Sequence, residues 1–163
     1  MNLPHDHGAR KSAVALVLRG HDDPDQARAV EVLVVWNRHY DGWTLPGGKV
    51  HHDEWPSAAM KRELQEETGL DTDRFLSNPF YVAESIDDGR RAPEGTDGTH
   101  RLVYCFRADV APGSEPHQME PGAPVGWMFI DEFLKASAFP SFHRAMLDAW
   151  NTRPTAPPKE TSK

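Results

Sequence analysis

Short apolar runs alternate along this chain with stretches dense in Gly, Pro and Asp, and one longer segment carries a helical spacing instead. Ala13–Leu18 (AVALVL) is an unbroken apolar run and predicts a strand buried on both faces. Val30–Trp36 (VEVLVVW), rich in β-branched residues, predicts a second strand that pairs with the first around the polar loop Gly20–Ala29. Phe80–Ile86 and Thr99–Val110 predict a hairpin, joined by the loop Asp87–Gly98 (DDGRRAPEGTDG). Gly126–Ile130 predicts a further strand and Asp131–Lys135 a short helix. Ser141–Asn151 predicts a full helix, with Ser141 as N-cap and Phe142, Met146, Leu147 and Trp150 as its apolar face. Residues 1–10 and the Pro-rich 153–163 show no periodicity and read as a disordered leader and tail, which leaves 11–152 as one domain.

The longer segment predicts a helix over Pro56–Thr68, entered by a loop at Gly48–Trp55. Pro56 suits a first helical position, where its missing N–H is an orphan in any case. Gly69 suits the left-handed conformation that ends many helices. At roughly 100° per residue, Glu63, Glu66 and Glu67 share an arc of about 100°. Like charges so placed repel, and a divalent cation with a taste for oxygen ligands removes the objection. Arg62 is a planar, permanently charged partner for a carboxylate, and Glu54 at the head of the helix is the acid best placed to receive it. The bland alternative is an acidic, solvated helix face, which explains neither the glycines nor the arginine spacing.

Gly48, Glu54, Arg62, Glu63, Leu64, Glu66, Glu67, Gly69 and Leu70 match the Nudix box, G-x5-E-x7-R-E-U-x-E-E-x-G-U, at every defined position. Trp43-Thr44-Leu45-Pro46-Gly47-Gly48, just before it, also resembles Nudix proteins. The resemblance implies an α/β fold, an α/β/α sandwich with a mixed sheet between helices. It implies Mg²⁺- or Mn²⁺-dependent hydrolysis of a nucleoside diphosphate linked to another group. It further implies that Glu63, Glu66 and Glu67 bind metal, that the Gly48 carbonyl completes a metal shell, and that Glu54 anchors Arg62. Glu63 or Glu67 would be the base, or an acid outside the box would bind metal or act as base; Glu120 is the first choice for that acid, as metal ligand or base, and Glu115 the second. Arg38 is placed either to reach the diphosphate or to face solvent at a strand end. Arg90, Arg91 and Arg101 lie where they would meet phosphate or solvate a loop tip. Two positions depart from many relatives: Asp53 stands where a glycine is common, and Trp55 where a Ser or Thr N-cap is common, with Asp53 a candidate substitute cap. His51 and His52 read as solvated loop residues.

Composition narrows the partners. The 163 residues are 38% hydrophobic and 26% charged, as expected of a soluble domain with a core. A net charge of −7 argues against a sequence-independent grip on a nucleic-acid polymer, though not against nucleotides. One cysteine, Cys105, excludes an intrachain disulfide and reads as a packed strand residue. Trp43 likewise reads as core packing. No apolar run approaches the ~18 residues of a membrane span, and no leader pattern is seen, so a cytoplasmic setting is expected. A homodimer is compatible with all of this.

For the substrate, the chain lacks the SQPWPFPQS array of NADH pyrophosphatases. It also lacks the proline of many ADP-ribose hydrolases and the tyrosine of diadenosine polyphosphate hydrolases at the expected distance past the box. The RELQEETGL ending and single short domain resemble MutT-like pyrophosphatases. The expectation is therefore a (d)NTP or oxidised dNTP, cleaved to NMP and pyrophosphate. ADP-ribose, another nucleoside diphosphate sugar or a dinucleoside polyphosphate is the alternative substrate. The alternative of another class is a non-catalytic nucleotide-binding regulator on the same fold.

Overall fold

The computed structural model describes residues 10–20, 30–84 and 101–154. The elements are β1 (Arg10–Leu16), β2 (Leu18–Arg19), β3 (Glu31–Asn37), β4 (Gly42–Thr44), β5 (Gly47–Lys49), α1 (Pro56–Thr68), β6 (Arg74–Phe75), β7 (Tyr81–Glu84), β8 (Arg101–Asp109), β9 (Val125–Phe129), α2 (Ile130–Ala136) and α3 (Pro140–Thr152).

Two sheets share the centre. In the first, β1 runs parallel to β8, antiparallel β5 lies on its other edge, and β7 and β6 pair antiparallel with β8. In the second, antiparallel sheet, β3 pairs with β9 along one edge and with β2 and β4 along the other. The first apolar run therefore serves both sheets. Its bulk (β1) joins β5 and β8, and only its end, Leu18–Arg19, pairs with β3. The expected pairing of the first two strands is thus confined to two residues. The expected hairpin of β7 and β8 is present, with Tyr81 opposite Cys105.

Successive strand residues face opposite ways, and two cores result. Ala13, Ala15, Val17, Leu33, Phe106 and Ala108 pack with Ala59, Met60 and Leu64 under α1. Leu16, Val32, Val34, Val103 and Cys105 pack on the other side with Phe133, Phe142, Met146 and Leu147 of α2 and α3. This is a helix–sheet–helix sandwich, as expected. Cys105 is buried, and burial pushes its thiol well up, as suits a packing residue rather than a nucleophile. Trp43 packs edge-on to Trp36, with centroids 5.4 Å apart.

Three local expectations are corrected. Gly48 and Lys49 belong to a strand rather than a loop, because β5 pairs with Ser12–Val14. The last helix begins at Pro140 with Phe139 as N-cap, so Ser141 is not the cap; Ser137 Oγ accepts the Phe139 N–H instead. The N-cap of α1 is Trp55, without a side-chain bond, so Asp53 does not substitute. The expected leader (but for Arg10), most of the loop after β2, the hairpin loop with Arg90 and Arg91, and the tail from 155 onward lie outside the described residues.

Candidate active site

Helix α1 begins at Pro56 and ends in Gly69 at φ +74°, both where the sequence places them. Met60, Leu64 and Thr68, four residues apart, face the sheet. Glu63 and Glu67 follow on the flank of that stripe and are part-buried, whereas Glu66 faces solvent. The flank lies over β5, where Gly47 is required by the β1 backbone and Gly48 lets Glu63 approach. A Cβ on Gly47 would come within 2.6 Å of Val14 Cγ1, and one on Gly48 within 2.5 Å of Glu63 Oε1. Gly47 donates its backbone N–H to Glu67 Oε1 at 2.7 Å.

Arg62 ties the acids together. Its Nε and Nη2 donate to the two oxygens of Glu54 at 2.9 and 3.0 Å. Its Nη1 donates to Glu63 at 2.9 Å and to Glu66 at 3.2 Å, and Nη2 also donates to the Lys49 carbonyl at 2.9 Å. Glu54 accepts in addition the His51 N–H at 3.0 Å. The Arg62 hydrogen bonds hold the Glu54 carboxyl down at about 2. Glu67 behaves oppositely: burial, with the charges of Glu63, Glu120 and Glu66 added, pushes it up to about 8 despite the Gly47 bond. Burial also raises Glu63.

Glu120 arrives from the loop between β8 and β9. His117 N–H in that loop donates to the Thr68 carbonyl at 2.8 Å, closing the C-terminal end of α1. The Glu120 charge is near enough to raise both Glu63 and Glu67. Glu115 is placed elsewhere, 3.2 Å from Arg19, which also holds Glu31 and lies over the Trp127 ring. Arg38 Nη1 points at the Pro121 carbonyl, 3.5 Å away. The exposed His51 and His52 sit beside Glu54 and Asp53. The Gly47–Glu67 bond, the Lys49 carbonyl under Arg62 and the His117 bond were not foreseen; backbone groups carry all three, and a list of side chains does not display them.

The donor set suits a hard divalent cation. Glu63, Glu66 and Glu67 offer oxygens only, and Gly48, without a side chain, lets the Glu63 carboxylate lie against the β5 backbone. Among the described residues no three such side chains already converge on one point. Glu63 and Glu66 lean on Arg62, and Glu67 on Gly47. A separate cleft of about 470 Å³ on the α3 side is lined by Arg74, Phe75, Leu76, Arg107, Asp109 and Trp150. Its buried arginine is already engaged by Asp109 at 2.9 Å and by the Leu16 carbonyl at 3.3 Å. Among the described residues no helix is long and apolar enough to cross a membrane.

The NUDIX domain family matches residues 9–150. A putative 8-oxo-dGTP diphosphatase 3 of Mycobacterium tuberculosis is 26% identical over 149 residues, 91% of this chain and 64% of that protein. An RNA pyrophosphohydrolase of Xylella fastidiosa is 56% identical over 39 residues, 23% of this chain and 20% of its own length. The chain thus spans under two thirds of the first and a fifth of the second. The NUDIX domain of Shewanella oneidensis NrtR, solved with ADP ribose, aligns at a TM-score of 0.65 with 18% identity, over 90% of this chain and 89% of that one. At that identity the likeness speaks for the fold alone.

Proposed function

The chain belongs to the NUDIX family, and from that premise we propose that it is a Mg²⁺- or Mn²⁺-dependent pyrophosphohydrolase. It cleaves the diphosphate linkage of a nucleoside diphosphate derivative, with a (d)NTP or oxidised dNTP as first choice. The observation that carries this reading is the meeting of Glu63 and Glu67 with Gly47–Gly48: the Gly47 N–H holds Glu67, and the Glu63 carboxylate fills the space a Gly48 Cβ would take.

Glu63, Glu66 and Glu67, with the Gly48 carbonyl, would hold the cation. When bound, such an ion neutralises phosphoryl oxygens and makes water a better nucleophile at neutral pH. The chain's own residues do the rest. Arg62 and Glu54 fix the helix flank, Gly47 fixes the Glu67 rotamer, and Glu120 takes the proton of the attacking water. The water oxygen bonds to phosphorus, the P–O anhydride bond breaks, and pyrophosphate leaves from an NMP.

A regulator on the same fold would have no need of the full acid set with its arginine. The deciding experiment is chromatographic detection of the nucleotide products, with and without Mg²⁺, from (d)NTPs, 8-oxo-dGTP, ADP-ribose, sugar nucleotides and dinucleoside polyphosphates. Cation-dependent turnover of triphosphates above the others is expected. Tight nucleotide binding without turnover on any of them would favour the regulator.

A further inference from the structure

The Glu120 carboxyl belongs to a sharply defined turn. Ala123 N–H donates to the Glu120 carbonyl at 3.2 Å, Pro121 and Gly122 occupy the two central positions, and Gly122 has φ +75°. Proline followed by a positive-φ glycine is the chemistry of a type II turn. Across this turn lies Arg38. Its Nη1 is 3.5 Å from the Pro121 carbonyl, and a Cβ on Gly122 would lie 3.5 Å from Nη1 and 3.9 Å from Cδ. The backbone beneath Arg38 is itself fixed: Asn37 Oδ1 accepts the His39 and Tyr40 N–H groups at 3.0 and 3.3 Å. The Trp36 N–H donates to the Pro124 carbonyl at 2.8 Å, joining the other end of the turn to the same strand.

We propose that Arg38 is a positioning residue for Glu120, clamping the Pro121–Gly122 turn that carries it, rather than a residue that grips the substrate's phosphates. This rests on the reading of Glu120 as the proton acceptor. Arg38 is exposed and the turn is short, so loss of its guanidinium leaves the fold in place while the carboxylate wanders. Misplacement of a general base shows in turnover, whereas loss of a phosphate contact made equally in ground and transition states shows in KM.

The test combines Arg38→Ala, Glu120→Gln and the double variant, assayed with Mg²⁺ on the best nucleotide of the panel, with amide hydrogen exchange of Ala123 in the metal-free protein. Arg38→Ala is expected to lower kcat about tenfold with KM nearly unchanged. It is expected to cost nothing further in the Glu120→Gln background, and to speed Ala123 exchange about fivefold, the share of one exposed hydrogen bond. A rise in KM at constant kcat, multiplicative losses in the double variant, or unchanged Ala123 exchange would each overturn the proposal. A slow Glu120→Gln with a multiplicative Arg38→Ala leaves Glu120 in the mechanism and removes only the clamp. A fully active Glu120→Gln removes both.

Discussion

Arg62 meets Glu54 edge to edge, Nε to Oε2 at 2.9 Å and Nη2 to Oε1 at 3.0 Å, eight residues apart across the entry to α1. The bidentate pair is only partly exposed, 23% for the arginine and 17% for the glutamate. Removing one partner strands the other charge, which costs more than the pair contributes as a whole. Arg62→Ala should therefore lower stability by about 1–3 kcal/mol, discounted for the residual exposure. It should slow turnover as well, because Glu63 and Glu66 lose the same guanidinium. Urea unfolding of Arg62→Ala, Glu54→Ala and the double variant measures the coupling. Fully additive losses would mean that the two do not act as a unit.

Glu67 yields a prediction with opposite signs for stability and rate. Its folded-state affinity for a proton is raised, from an ordinary 4.5 to about 8. A raised acid binds more protons folded than unfolded, so the metal-free protein loses stability as pH rises from about 4.5 to 8. Glu67→Gln should stabilise the metal-free protein at pH 8 by about 1 kcal/mol or more. The same variant, and Glu66→Gln, should lower cation-dependent turnover by roughly a hundredfold with the fold intact. Near-normal rates for both at saturating Mg²⁺ would reject the metal assignment.

His143 sets an acid limit from the opposite core. It is fully buried among Phe133, Phe139 and Phe142, with Nδ1 on Ser137 Oγ and Nε2 3.4 Å from Thr44 Oγ1. Burial brings it down to about 3 from 6.5. Below pH 6.5 the unfolded chain takes a proton that the folded chain refuses. Stability then falls by about 1.4 kcal/mol per pH unit from this group alone, until pH approaches 3. His143→Gln should be less stable at pH 7 yet lose much less between pH 7 and 5. Parallel pH profiles for the two proteins would show that His143 is not the titrating group.

Asp53 has φ +65°, a left-handed conformation costly for most side chains. This fits the glycine that the Nudix resemblance leads one to expect at that position. Asp53→Gly should raise stability by about 0.5 kcal/mol, and Asp53→Ala should lower it by a similar amount. Changes of one sign in both variants would mean that backbone strain does not govern the position.

How far the sequence reached depends on where the information resides. Helix α1, its Pro56 start and Gly69 end, and the Arg62–Glu54 pair were legible because each rests on residue type at a fixed, short spacing in sequence. The run from Ala13 to Leu18 was legible as buried but not as divided between two sheets. Only the partners of Val17, through Leu33, and of Leu18 decide the division, and those contacts are distant in sequence. The Phe139 cap escaped because Ser137, two residues away, supplies the side-chain acceptor usually sought at the cap itself. Arg38 read as open between phosphate and solvent, since its contact with Pro121 joins residues 83 apart.

Glu120 carries the last prediction. A carboxylate that holds a cation is a poor base, because the cation lowers its proton affinity. Glu67, bonded to Gly47, and Glu63, bonded to Arg62, are committed to fixed positions. Glu120 is exposed, and no hydrogen bond of its carboxylate competes for the lone pairs among the described residues. Its charge nevertheless reaches both inner acids. Glu120→Gln should therefore lower kcat by about 10²-fold while changing KM little. Glu115→Gln, whose carboxylate is bound to Arg19 away from the cluster, should leave kcat unchanged. If Glu120→Gln keeps full activity across the pH profile, the proton goes to Glu63 or Glu67 instead, and Glu120 is solvated surface.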